Sequence, residues 1–445
     1  MVSRSRSPSR SRSRSRSRSS QSKPPPPSSS LNLSPKTSPP PLPSAPLALY
    51  YYLTILLRLL LSPSISLSTL LNSSYPLSDI TLTYIYQLTI PLKHWSKPHY
   101  RKGTYQQDLK DNLVNVAIPG TGVPLSYFVL CKAFYGCFIL GVIPFVLFIQ
   151  EIHLKLLSRP SSFTLNLLGY DLDWCSLWRI NCNLTHLHAL KTRDGGYEME
   201  NKWSFILKSE SLGIPISPCL PYPGLCIKHK NEEGGLGIHF YRNAREGGDW
   251  IIQKVIRNSE RVSEMLPPKS PLSTFRVMTI SNASIKKPGE EEKEDFQELS
   301  VVFRAGREGA LTDHDSILFP VSASSGLLLP GTTNKNWYST YSPFTPLRSR
   351  DVKLSKHPDT GNVVSGRRIE EIDRIVAVCK DAHFKALPRV PIVGWDVVLC
   401  SEEDVPGGIC LLEVNLSCNF FRGVFDEDKW WRFVKEVIVE MEGRD

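Results

Sequence analysis

Cysteine is present without the spacing that would give it a structural role. The ten cysteines include no Cys-x-x-Cys pair and no cluster with histidine. This absence argues against a structural zinc site and does not suggest a disulfide framework, so a reducing compartment fits better than an oxidising one. No internal repeat and no Ser-His-Asp or Cys-His arrangement is discernible.

Acidic residues are missing from the first 46 positions. Residues 1–46 contain seven arginines and two lysines, a charge of +9, so the other 399 residues carry only +1 of the net +10. Ser-Arg alternation followed by a Pro/Ser-rich stretch offers no apolar surface to bury, and we predict a disordered tail. The tail either binds RNA or acidic lipid, or is only a solvated leader. The near-neutral remainder has no RRM or KH signature, so nucleic acid is an unexpected partner except for the tail.

Long apolar runs are also scarce, since a membrane-spanning helix needs about 20 apolar residues. Residues 47–61 are apolar apart from Arg58, and residues 124–149 are apolar apart from Lys132. We expect one or two transmembrane helices within a hydrophobic region at residues 47–164, and hence membrane association. The alternative is that these segments form buried core helices or a hairpin of a cytoplasmic protein.

From residue 165 to residue 445 the composition is that of a globular α+β domain. Helical periodicity and stop signals predict helices at 201–212, 367–386 and 428–440. Short apolar runs predict strands at 250–256, 273–280 and 300–306, and a hairpin at 225–241. The acidic stretch 286–295 is interpreted as a solvated loop.

The stretch 393–415 predicts a second hairpin, because two apolar runs flank a polar loop that contains two glycines. If Cys400 pairs with Ile409, Asp396 falls opposite Glu413 on the same face of the ladder. Opposed like charges destabilise a sheet, so another group must offset the repulsion.

A divalent cation is the simplest candidate for that group. Asn415 shares the face of Glu413, and two carboxylates with an amide oxygen are hard ligands that suit Mg²⁺. We therefore predict a magnesium site at Asp396, Glu413 and Asn415. The alternative is a solvent-facing hairpin whose acidic residues only keep the strand soluble.

The hairpin at 225–241 is a second candidate site. Gly234, Gly235 and Gly237 would let backbone N–H groups approach an anion, and Lys228 on the adjoining strand would meet a phosphate. The stretch lacks the ending of a P-loop and precedes no helix, so a plain hairpin turn explains it equally well.

Taken together, these stretches resemble the ATP-grasp superfamily, and specifically its sugar-transfer-associated, glutamate-ligase-related branch. The resemblance runs from about residue 197 to residue 425. It is most specific in GWDV (394–397) and LLEVN (411–415), with further likeness in STFRVMT (273–279). After LLEVN the chain reads LSCNFFRG, where many such ligases carry a Pro-Gly turn. The family's fold consists of two α+β lobes that hold ATP between them, with Mg²⁺ bound by the C-terminal lobe.

The resemblance also implies a role for each matching residue. Asp396, Glu413 and Asn415 match the magnesium ligands, and Arg276 and Lys228 match groups that stabilise the transferred phosphoryl group. The positions matching the ATP-binding residues are Lys202, Lys228, Gly234, Gly235, Gly237, Gln253, Lys254, Val255 and Ile256. A charged residue inside an apolar strand is disfavoured without a partner, which favours a functional role for Lys228 and Arg276.

The function implied is an ATP- and Mg²⁺-dependent carboxylate–amine ligase that acts through an acyl phosphate on a sugar-linked or amino-acid substrate. Two alternatives remain: a nucleotide-binding pseudoenzyme, and a membrane- or RNA-associated scaffold that uses the Ser/Arg tail. Asp313 and Asp315 are interpreted as ordinary loop residues. His383, late in an amphipathic helix, is interpreted as a packed or capping histidine.

Overall fold

The fold was analysed in a computed structural model. It describes residues 43–101, 103–114, 125–142, 174–232, 236–312, 316–333, 353–417 and 423–444, and residues 144, 145, 148, 149 and 152. Pro40–Asp445 form one compact unit. The predicted tail lies outside the described residues up to position 42, and the first helix begins at Ala45. The predicted domain boundary near residue 165 falls outside the described residues and stays a prediction.

The α-helices are distributed on both sides of the strand-rich part of the sequence. In chain order they are α1 (Ala45–Leu61), α2 (Leu67–Leu71), α3 (Asp79–His94), α4 (Tyr105–Leu113), α5 (Lys132–Cys137), α6 (Trp174–Thr192), α7 (Lys202–Ser211), α8 (Glu260–Ser263), α9 (Ile372–Ala386) and α10 (Glu427–Gly443). Side-chain caps begin several of them, as at α7, where the Asn201 side chain accepts from the backbone N–H groups of Trp203 and Ser204.

The strands form two antiparallel sheets. The strands are β1 (Gly224–Lys228), β2 (Ile238–Arg242), β3 (Thr274–Ser281), β4 (Phe296–Ala305), β5 (Ile317–Val321), β6 (Thr332–Thr333), β7 (Ile392–Leu399) and β8 (Ile409–Asn415). Strands β1 and β2 pair only with each other, and the other six follow the order β6-β5-β4-β3-β7-β8. The predicted α+β class is thus confirmed for the described residues.

Helices cover both faces of the six-stranded sheet. Apolar residues of β3 alternate between the faces: Phe275 and Val277 join the cluster that contains α9, whereas Met278 joins the one that contains α1, α3, α6 and α10. Every residue of β3 and of β7 is buried as a result. A sheet covered on both sides explains why these strands read as nearly continuous apolar runs.

The N-terminal hydrophobic helices belong to this packing. Tyr52 and Ile55 of α1 are fully buried in the same apolar cluster as Met278 of the sheet. Residues 125–142 divide into a 3-10 helix (Leu125–Val129), α5 and a π-helix (Phe138–Val142). Among the described residues, no helix combines the length and the apolarity needed to cross a bilayer. The transmembrane helices expected at 47–61 and 124–149 are therefore not found there, because protein packs against one side of the first segment and the described part of the second is interrupted.

Two predicted elements differ from the observed ones. The segment 250–256 forms only isolated bridges, at Trp250 and Gln253, so it is extended without being a strand of a ladder. Helix α9 begins at Ile372 rather than at residue 367, because the preceding residues pair with another loop: the backbone N–H of Ile369 donates to the Gly326 carbonyl over 2.9 Å.

Candidate active site

The β7–β8 hairpin places Asp396 opposite Glu413, as predicted. The predicted end of the ladder was wrong by one residue, since Ile409 pairs with Leu399 rather than with Cys400. A register shift between Asp396 and Val397 restores the expected pairing beyond that point. An extra residue of this kind bends a strand and changes the direction of nearby side chains, and such bulges are common beside active sites.

Arg276 of β3 lies directly across from Asp396 and forms a two-pronged ion pair with it. Its Nε donates to Asp396 Oδ1 over 2.6 Å and its Nη2 donates to Oδ2 over 3.1 Å. Each residue is only 5% exposed. The expectation that the charge of Arg276 would require a partner inside an apolar strand is confirmed.

A second arginine, Arg304 of β4, completes the charge balance around Asp396. Its Nη1 donates to Asp396 Oδ2 over 3.4 Å, and it is likewise buried. Burial by itself would raise the pKa of the Asp396 carboxyl, but the charges of Arg276 and Arg304 lower it below its ordinary value. The positive charge that the sequence argument attributed to a metal ion is therefore supplied by these two guanidinium groups, and the repulsion between acids alone does not require a cation.

Glu413 pairs with a lysine, whereas Asp396 pairs with arginines, and Glu413 is more exposed to solvent than Asp396. Lys202 Nζ lies 2.9 Å from Glu413 Oε2, with the lysine side chain mostly exposed and the glutamate side chain partly exposed. Lys202 is the first residue of α7, so the start of that helix carries an ammonium group to the edge strand β8. Lys202, Arg276, Asp396 and Glu413 are thus brought together.

Asn415 is the third residue of the predicted metal site. It pairs with Gly394 in the ladder, and its Nδ2 is a buried atom without a hydrogen-bond partner among the described residues. The oxygen and nitrogen of an amide are assigned from their partners, so a rotated amide would present the oxygen instead. The set of two carboxylates and an amide oxygen fits a hard cation such as Mg²⁺. The described part of the chain contains no group of three or more His, Cys, Asp or Glu side chains that could hold a metal ion.

An apolar patch lies beside the carboxylates. Val398 is two residues along β7 from Asp396, and Leu412 immediately precedes Glu413. Both belong to a small cluster with Ile256, in which Leu412 remains partly exposed. Val398 and Ile256 are buried, so Leu412 is the member of this trio that adds apolar surface beside the carboxylates.

The predicted adenine-binding segment, Gln253 to Ile256, runs alongside this cluster. Gln253 Nε2 donates to the Ser217 carbonyl over 3.0 Å, and Lys254 Nζ lies 2.9 Å from Asp404 Oδ1 in the β7–β8 loop. Val255 is 87% exposed, whereas Ile256 is buried. The segment therefore connects to the hairpin through Lys254 and Ile256 and presents Val255 to solvent.

The other predicted residues lie on the β1–β2 hairpin. Lys228 is exposed at the end of β1 and forms no ion pair with another described residue, so the burial argument for it was wrong. Gly237 has φ +64°, and a side chain there would meet His229 and Glu232. Gly234 and Gly235 lie outside the described residues.

His383 is a packed residue, as interpreted, and Asp313 and Asp315 lie outside the described residues. His383 Nε2 is 2.9 Å from the Val390 carbonyl, which can only accept, so Nε2 carries the proton and Nδ1 accepts from Thr279 Oγ1 over 2.8 Å. Trp395 Nε1 donates to the same Thr279 oxygen over 2.9 Å.

Two neighbours of the site were missed. Arg304 could have been found from the sequence, because it is a charged residue within the apolar stretch SVVFRA, just as Arg276 is a charged residue within STFRVMT. No sequence pattern would have identified Tyr100, which comes from the N-terminal region. Its hydroxyl donates to Glu200 Oε2 over 2.6 Å and lies 2.9 Å from the Oγ of Ser417, two residues after Asn415.

Comparisons with protein-family models, with curated proteins and with solved structures found no match to this chain.

Proposed function

We propose that this chain has the ATP-grasp fold and is an ATP- and Mg²⁺-dependent ligase that joins a carboxylate to an amine. The observation that carries the proposal is the row of charges across three adjacent strands, Arg276, Asp396 and Glu413, which ends at Lys202. Together with Asn415, it combines oxygen ligands for a cation with cationic groups for phosphate on one face of a sheet.

The proposed reaction has two steps. The γ-phosphoryl group of ATP moves to the acceptor carboxylate, which gives ADP and an acyl phosphate, and an amine then displaces inorganic phosphate. Magnesium, held by Asp396, Glu413 and Asn415, would neutralise phosphate charge when bound. The guanidinium of Arg276 keeps its charge at every working pH and is already oriented by Asp396, so it would steady the transferred group without reorganisation.

Two further features support nucleotide binding. Leu412, which is partly exposed next to Glu413, would contact the adenine ring, because ligand sites are mainly apolar with a few placed polar groups. Lys228 would approach the phosphates from the β1–β2 hairpin, whose exposure leaves its side chain accessible. The acceptor is proposed to be a sugar-linked or amino-acid carboxylate on the basis of the family resemblance.

The test is Mg²⁺-dependent ATP binding to the full chain, with Glu413→Gln alongside. The change keeps the size of the side chain and removes the charge, so ATP affinity in the presence of Mg²⁺ should fall about tenfold or more. Glu402→Gln is the matched control, because Glu402 is exposed in the loop of the same hairpin. Equal affinity of the wild-type chain and Glu413→Gln would refute the assignment.

A pseudoenzyme that binds nucleotide without turnover is the second candidate. It is favoured by one observation: both oxygens of Asp396 already accept hydrogen bonds from arginines. Incubation with ATP, Mg²⁺ and a pool of carboxylates and amines separates the two candidates. ADP formation that depends on the pool supports the ligase, whereas tight ATP binding without ADP formation supports the pseudoenzyme.

A further inference from the structure

Helix α1 has an apolar side that faces away from the described part of the protein. Six of its large apolar residues are between 42% and 74% exposed, namely Leu47, Tyr50, Leu53, Leu57, Leu60 and Leu61. Apart from the adjacent pair Leu60 and Leu61, successive members are three or four residues apart, which places them along one side of the helix. Contiguous exposed apolar surface of this kind usually marks an interaction site.

The opposite side of α1 is anchored in the protein. Ala48, Tyr52, Ile55 and Leu59 are buried in the cluster that lies against the six-stranded sheet. Tyr52 Oη also donates to the Leu140 carbonyl over 3.2 Å. The helix is therefore held in place by its inner side, and its outer side is available to a second apolar environment.

The charge of the adjoining sequence indicates which environment that is. The first 78 residues contain eight arginines, two lysines and no acidic residue, so they carry the whole net charge of +10. Arg58, which is exposed, places one of these charges on α1 itself. An apolar helix face joined to a cluster of basic residues is the combination that binds the surface of an anionic bilayer.

A second copy of this chain fits the same face less well. A dimer through α1 would bring together two N-terminal segments of charge +10 each, and like charges of this size repel. A bilayer that contains anionic lipid attracts the same charges while it accepts the leucine side chains. The surface chemistry thus favours lipid over self-association.

We infer that the outer side of α1 lies in the headgroup region of an anionic lipid bilayer and, with the basic N-terminal sequence, holds the protein on the membrane surface. This inference goes beyond the proposed ligase activity and does not depend on it. Val142, in the segment bonded to Tyr52, is also exposed and would widen the contact.

The experiment is co-sedimentation of the full chain with phosphatidylcholine vesicles that either lack or contain roughly 30% phosphatidylserine. Binding should be about tenfold or more tighter to the anionic vesicles, and raising the salt from about 0.1 M to about 0.5 M should weaken it. The variant Leu53→Ser/Leu57→Ser should bind at least about tenfold more weakly, because it removes two of the exposed leucines. Since both side chains are exposed, the variant should keep its fold, which its thermal unfolding checks.

Leu311→Ser is the matched control. Leu311 is 97% exposed in the loop between β4 and β5, so the same chemical change there should leave vesicle binding unchanged. A variant in which the seven arginines of residues 4–18 become serine should lose most of its preference for anionic lipid.

Three results would overturn the inference. The first is a wild-type chain that stays in the supernatant with anionic vesicles. The second is equal vesicle binding by the wild type and Leu53→Ser/Leu57→Ser, which would leave α1 without a role. The third is RNA binding that depends on the basic residues and displaces the protein from vesicles while the leucine variant binds lipid normally, which would assign the basic sequence to nucleic acid.

Discussion

Strand β1 and strand β3 each carry a cation next to an apolar residue, yet the two cations lie in opposite environments. Every residue of β3 is buried, and Arg276 lies against Asp396. Every residue of β1 is exposed, and Lys228 forms no ion pair with another described residue. Both cations were expected to need a partner, and among the described residues only Arg276 has an anionic one.

The difference lies in what covers each sheet. Strand β3 is internal to the six-stranded sheet and has a helical layer on each face, so all of its residues are buried. Strand β1 belongs to a two-stranded sheet, which is too small to bury its own side chains. A charged residue in an apolar strand therefore indicates a paired site only if the strand is internal, and an accessible site if it is not.

The largest expected effect comes from breaking the buried ion pair. Arg276→Met leaves the Asp396 carboxylate buried with only part of its compensation, and should lower the free energy of unfolding by roughly 3–5 kcal/mol. Urea unfolding of the full chain measures it. Lys228→Met is the comparison on the exposed hairpin and should change the same quantity by less than about 0.5 kcal/mol. A similar cost for both variants would show that burial does not distinguish the two strands.

The free energy of unfolding should fall in acid because of His383, whose ring is buried against Thr279 of β3. Burial lowers the pKa of His383 to about 4, whereas an unfolded histidine titrates near 6.5. Below about pH 6.5 this histidine is protonated in the unfolded state but stays neutral in the folded state. The free energy of unfolding therefore decreases as the pH is lowered to about 4, by up to about 3 kcal/mol.

The measurement is the free energy of unfolding between those two pH values. His383→Gln should reduce its slope against pH, while the other buried histidines continue to contribute to that slope. An unchanged slope in His383→Gln would contradict the assignment of a neutral, buried ring.

Removing the hydroxyl that links His383 to the sheet should have an intermediate effect. Thr279→Val keeps the shape of the side chain but leaves Trp395 Nε1 and His383 Nδ1 unpaired, at a cost of about 2 kcal/mol. Thr332→Val is the matched control, because the buried Thr332 hydroxyl has no partner among the described residues and its loss should be neutral or stabilising. Thermal unfolding compares the two, and equal destabilisation would refute the network.

A smaller effect on stability is expected at Lys202, the exposed residue at the end of the row formed by Arg276, Asp396 and Glu413. Lys202→Met removes a mostly exposed ion pair to Glu413 and should cost less than about 1 kcal/mol. The same variant should weaken ATP binding measurably if the proposed function is right. A variant that loses stability but not affinity would instead make Lys202 a structural residue.

The hairpin that carries the candidate site was largely predictable, because alternation and two glycines specify local pairing. Asp396 and Glu413 were correctly predicted to lie opposite each other. The sequence did not predict the register shift between Asp396 and Val397 that produces this pairing. The sequence predicted a metal ion as the partner of Asp396, because Arg276 and Arg304 lie 120 and 92 residues away along the chain and the order of their strands was unknown. Arg304 was missed for the same reason.

The N-terminal region shows the limit of hydropathy. The run at 47–61 was correctly identified as apolar, but apolarity does not distinguish a helix that packs on a sheet from one that enters lipid. The buried Tyr52 and the exposed Leu53, adjacent in sequence, face different environments on α1. Only the position of the helix against the core separates them.

By itself, the sequence determined the two hairpins, the helices near 201–212, 367–386 and 428–440, and which carboxylate lies opposite which, because these depend on short-range periodicity and turn residues. The tertiary structure decided that two arginines neutralise Asp396, that Lys228 is exposed and that α1 has one free side. The physical reason is that burial and ion pairing depend on which elements cover a strand or a helix, and in this chain those elements come from both ends of the sequence.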